Sequence, residues 1–157
     1  MISNAVIPAD KLITASTMFV PLLACAPSFE ASWDAFMRDW SDTPEPPMYI
    51  ALCDLARHLI DRLAAGRTDG FDDIFDVVER WHVEGDSYVR EAASIGLLED
   101  LQNEHLHRTT RPSDFVAWLR PQSQIGWDKI DGFWAGEESP GNQAPSAMSA
   151  AAAPPKT

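Results

Sequence analysis

The stretch DGFDDIFDVVERWHVEGD, Asp69 to Asp86, carries seven carboxylates and one arginine, yet it keeps an apolar rhythm. Phe71, Ile74, Phe75, Val78 and Trp81 recur at steps of three and four, the spacing of one buried helical face. Asp69, Asp72, Asp73, Asp76 and Glu79 recur at similar steps on the other side. The pattern predicts a helix with an apolar back and a negative front. An unbroken negative front is a natural match for a basic partner, although an exposed charged face is also how an ordinary surface helix meets water.

Outward from this helix the same period continues in both directions. Asp86 is placed to cap a following helix that reaches Gln102 or Asn103, with Val89, Ala92, Ala93, Gly96, Leu97 and Leu101 turned inward. The small residues at 92, 93 and 96 let another helix approach closely. Upstream, a helix is expected from Met48 to Ala65, with Leu52, Leu55, Ala56, Leu59, Ile60 and Leu63 inside and Gly66 as terminator. Before it, Ser41 to Pro47 holds three prolines in a stiff loop. A helix capped by Ser28 carries Phe29, Trp33, Phe36, Met37 and Trp40, and a first helix ends at Cys25. If Thr17 caps that first helix, Pro21 falls in its first turn, where a missing N–H costs little.

Toward the C-terminus, Asn103 to Arg111 reads as a polar connector, Ser113 to Leu119 as a short helix, and Pro121 to Ala135 as the last helix. The run EESPGNQAPSAMSAAAAPPKT has little apolar surface with which to offset its ordering entropy and is expected to be disordered. Alternating strand patterns are absent. The expected fold is all-α, a single compact bundle of about six to seven helices over residues 1–136, followed by a tail over 137–157. The two helices joined at Gly85 and Asp86 have the look of one HEAT-type pair, too few for a solenoid, and Gly85 is expected to take a left-handed conformation at the joint.

Composition narrows the function classes. Acids outnumber bases 24 to 12, giving a formal charge of −12. Such a charge disfavours bare nucleic acid and anionic membrane surfaces and favours basic proteins. Cys25 and Cys53 lie in apolar helical contexts and are expected to be free thiols in a reducing cytoplasm. The longest apolar run, Met18 to Pro27, is too short to cross a bilayer, and no secretory leader is expected.

Catalytic signals are sparse. His105 and His107 sit in an EHLH stretch that could chelate a metal from a loop, but no second ligand cluster lies at a matching spacing. His82, near the end of the acidic helix, is expected to sit protonated beside carbonyl ends and carboxylates. No phosphate loop, nucleophile elbow or HExxH is present, and neither a metal nor a cofactor is expected. Most of the six tryptophans read as core. Trp40, at a helix end beside the proline loop, is the one expected to stand half exposed, as interface indoles do.

One run resembles the signature of a family of small uncharacterised bacterial helical proteins. It contains His82, Glu84-Gly85-Asp86, Tyr88-Val89-Arg90-Glu91-Ala92-Ala93, Gly96 and Leu98-Glu99-Asp100-Leu101-Gln102-Asn103. Trp127, Lys129, Phe133, Trp134 and Gly136 match its closing helix, and the resemblance spans roughly residues 17–136. Members resemble immunity proteins in size and style, which implies a neutraliser of a toxin. Three functions follow as alternatives. The first is a non-enzymatic binding module that contacts a basic, toxin-like protein through Asp69, Asp72, Asp73, Asp76, Glu79 and Trp40. The second is a small metal-dependent hydrolase using His105 and His107. The third is a structural adaptor.

Overall fold

Phe71, Ile74, Phe75, Val78 and Trp81 are all buried, so the apolar back of the acidic stretch forms the centre of the domain. The computed structural model describes residues 11–135. The tail from Glu137 lies outside the described residues. Among the described residues seven α-helices follow one another: α1 (Phe19–Cys25), α2 (Glu30–Asp39), α3 (Met48–Ala64), α4 (Phe71–Glu84), α5 (Ser87–Glu91), α6 (Glu99–Leu101) and α7 (Pro121–Ala135). A π-helical segment, Ala92–Leu98, joins α5 to α6 without a break. Among the described residues the fold is all-α with no strand. The nearest thing to one is a single parallel bridge between Ile13 and Gly85.

Local chemistry sets the boundaries. α3 ends in a Schellman motif: Gly66, at φ 75°, donates to Leu63 O, and Arg67 donates to Arg62 O. Gly70, at φ 87°, opens α4 without a side-chain cap, and Asp72 and Asp73 supply negative charge in its first turn. Asp86 caps α5 as expected, its Oδ1 accepting from Val89 N at 2.9 Å. Pro21 falls in the first turn of α1, where it does no harm.

Three expectations are corrected. Ser28 does not cap α2: a 3-10 turn, Pro27–Phe29, precedes that helix, and the Ser28 hydroxyl contacts His58 and Arg62 instead. Residues Pro112–Trp118 form a 3-10 helix rather than an α-helix. Gly85 is extended at φ −79° and ψ 155°, not left-handed. It lacks a side chain because a Cβ there would collide with Trp81 O and the Val89 side chain. The N-terminal strap crosses at this point, with Ile13 N donating to Glu84 O and Asp86 N to Ile13 O, both at 2.9 Å.

Around α4 the layers are α1 with its strap, the 3-10 helix Pro112–Trp118, α5 and α7, while α3 packs on the π-helical segment and α6. Trp81 is fully buried, and its indole donates to Met18 O at 3.0 Å, tying α4 to the head of α1. At Gly96 a Cβ would stand 3.0 Å from the Leu52 side chain, which is how the π-helical segment fits against α3.

Candidate functional site

Part of the acidic face of α4 is an internal fastening. Glu79 accepts from the backbone N–H groups of Gln122 (2.8 Å) and Ser123 (2.9 Å), so its carboxylate caps α7 from another helix. Arg120, just ahead of α7, donates from Nε to Asp76 Oδ1 at 2.9 Å and from NH2 to the Asp72 carbonyl at 2.9 Å. Its NH2 also lies 4.0 Å from the Asp72 carboxylate. Asp69 pairs with Arg62 at 3.1 Å. Arg62 also donates to the Asp69 carbonyl and to Ser28. Asp73 is exposed.

These contacts divide the five carboxylates. The Asp69 and Asp72 side chains remain 90% and 80% exposed despite their arginine neighbours, and Asp73 joins them along the first part of α4. Asp76 and Glu79, further along, hold α7. The sequence placed all five on one face, but it could not show that a helix start more than forty residues away would use two of them.

Trp40 is half-buried at the end of α2, within a groove between α2 and α3 of about 350 Å³. It packs against Phe36, with ring centroids 6.4 Å apart. It is not the most open indole: Trp134, assigned to the core from the sequence, is 46% exposed.

The side chains of three of the four histidines, His58, His82 and His107, are engaged structurally. The His107 Nε2–H donates to Leu101 O at 2.9 Å, and Nδ1 meets the Thr110 hydroxyl at 2.7 Å, so neither nitrogen is left for a metal. His105 is exposed. Among the described residues, no group of three or more His, Cys, Asp and Glu side chains is arranged to hold a metal ion. His82 departs from expectation. Its Nδ1–H donates to Val78 O at 2.9 Å and its Nε2 accepts from the Ser94 hydroxyl at 3.0 Å. Burial lowers its pKa, which favours the neutral ring over the protonated one expected from the sequence.

A second groove, of about 440 Å³, lies between α3 and the π-helical segment and was not picked out from the sequence. Tyr49, Cys53, Asp54, Arg57 and Asp100 supply its polar lining. Burial, and then Glu99 beside it, pushes the Asp100 carboxyl up to about 7, while Cys53 and Arg57 pull it back down in part. Burial is also the main cause that pushes the Tyr49 phenol up to about 12. π-helical turns often accompany functional sites. The sequence signal for this one was the Ala92-Ala93-Ser94-Ile95-Gly96 run, which reads equally well as plain helix packing.

A family model described as a domain of unknown function, DUF7674, matches residues 20–135. The chain belongs to the DUF7674 family. No curated protein and no solved structure matches it. The matched region of this DUF7674 chain spans α1 to α7, and so includes the α7 fastening and both grooves. No helix of the domain is long and apolar enough to cross a membrane among the described residues.

Proposed function

We propose that this DUF7674 domain is a non-enzymatic protein-binding module for a basic partner, in its most specific form an inhibitor of a cationic toxin. The observation that carries this reading is the exposure of Asp69, Asp72 and Asp73 at the start of α4, in a chain with a formal charge of −12. Carboxylates that keep most of their surface in water retain a long-range field, and such a field accelerates encounter with a cationic protein. The rigidity of the face supports the same reading. α4 is fixed from behind by a buried apolar stripe and from its C-terminal half by α7, so little ordering is required when a partner docks.

The partner-facing set is therefore Asp69, Asp72 and Asp73. Glu79 belongs to the fold, and Asp76 shares its charge with Arg120. The test is affinity capture from the source cell with the folded chain as bait. Recovered proteins are then assayed for toxicity in a host with and without co-expression of the chain. A basic protein whose toxicity the chain relieves supports the proposal. Retention of no basic protein counts against it.

A further inference from the structure

The outward stripe of α3 carries Ile50, Asp54, Arg57 and Asp61, and the helix stands as a ridge between two grooves. Ile50, Asp54 and Arg57 line both of them. On one side Asp39 and Trp40 complete the wall, and on the other Tyr49 and Asp100 do so. Among the described residues the ion pairs involve Arg62, Arg80 and Arg120 with acids on or next to α4. None of Asp39, Asp54, Asp61 and Asp100 is in such a pair. The two grooves therefore set the carboxylates of Asp39, Asp54 and Asp61 and the Asp100 carboxyl against one arginine, because burial and then Arg62 lower the pKa of His58, the other basic group present.

We propose that these grooves form a docking surface for a lysine- or arginine-bearing segment of the basic partner, laid across α3 so that one cationic side chain enters each groove. The proposal rests on the reading that the partner is basic, and it assigns contact to α3 while leaving long-range attraction to α4. Charge complementarity selects the occupant. Each groove has a volume in the range of small-ligand sites, about 300–1,000 Å³, and pairs carboxylates with an aromatic ring, Trp40 or Tyr49. An alkyl-ammonium or guanidinium chain satisfies both, its stem lying against the ring and its head meeting the acids. Ile50, 44% exposed on the ridge, gives the segment an apolar seat between its two cations. The half-buried Asp100 supports the same occupant: it is desolvated with only partial relief from Cys53 and Arg57, and a cation in the groove would supply the rest.

The probe is an octalysine peptide, with octaglutamate as control, titrated into the full chain at 0.15 M salt. Binding is followed by calorimetry and by amide and indole shifts. The expected result is octalysine binding with the largest shifts at the Trp40 indole, Asp54 and Gly96, and none with octaglutamate. Asp54→Asn, which touches both grooves, should weaken binding at least fivefold. The pair Asp72→Asn with Asp73→Asn should weaken it less than twofold. If the α4 pair costs more than Asp54→Asn, or if the shifts map to α4, the docking assignment is overturned while the basic-partner reading survives. If octalysine does not bind at all, both fail. Trp40→Phe provides a second measure: loss of the indole should weaken binding with unchanged melting, and equal affinity counts against the aromatic wall.

Discussion

Glu79→Ala tests whether the acidic face is a fastening or an open surface. The change removes both acceptors of the α7 start, the bonds from Gln122 N at 2.8 Å and Ser123 N at 2.9 Å. Ser123 is fully buried, so its N–H is left without a partner away from water. An unsatisfied buried donor costs about 1–3 kcal/mol. Loss of a carboxylate from a helix N-terminus adds roughly 0.3–1 kcal/mol. Together with the exposed Gln122 bond, the expected loss is about 3 kcal/mol. For a chain of this length that lowers Tm by roughly 10 °C. Glu79→Gln keeps one neutral acceptor and should lose about half as much. Thermal melting followed by circular dichroism measures both variants. Hydrogen exchange should show the protection of residues 121–135 falling first, since α7 is what the carboxylate holds. A Glu79→Ala variant that melts within about a degree of the parent would refute the cap and return Glu79 to the partner-facing set.

Further changes test other links. Asp100→Asn should raise stability at pH 8 and leave it unchanged at pH 4. A carboxyl raised to about 7 from its ordinary 3.8 binds its proton more tightly in the folded state, so stability falls as pH rises between those values. At about 1.4 kcal/mol per unit the gain at pH 8 reaches a few kcal/mol, and an equal change in urea midpoint at both pH values would contradict it. Asp86→Ala should cost about 1 kcal/mol by removing the bond to Val89 N, read as a shifted denaturation midpoint. Gly85→Val should cost more, because the new side chain meets Trp81 O and Val89 in backbone that cannot move without releasing Ile13; a neutral result would discard that packing argument. Zinc titrated into the purified chain should leave the His107 ring resonances unshifted, since both nitrogens are engaged.

Much of the architecture was legible because helical period is a local signal. The inward set Val89, Ala92, Ala93, Gly96, Leu97 and Leu101 is buried as its spacing indicates, and α7 runs over the same residues as its pattern. What was not legible depended on distant partners. The acids of α4 carry no mark in the sequence that separates an exposed carboxylate from one that caps a remote helix. Arg120 reads as an ordinary surface arginine until the fold brings it to Asp76. Gly85 announced a special position, but the reason is the Ile13 strap and the Val89 side chain, not its dihedral angle. Ser28 resembled a cap because it follows Ala26-Pro27, yet His58 and Arg62, thirty or so residues on, claim its hydroxyl. The α3 groove went unseen for the same reason: Asp54 and Asp100 lie on separate helices and become neighbours only through the packing of α3 on the π-helical segment.

The central claim, that this domain recognises a basic protein with an acidic α4 edge, is tested most directly by association kinetics with the captured partner at two salt concentrations. Surface plasmon resonance of the parent chain should give an on-rate that falls steeply between 0.05 M and about 0.3 M salt, as screened steering requires. The Asp72→Asn, Asp73→Asn variant should associate more slowly at low salt and show a flatter dependence, while its melting falls by only a few degrees, the cost of two lost first-turn charges. An on-rate that ignores both salt and these two neutralised carboxylates would contradict the account.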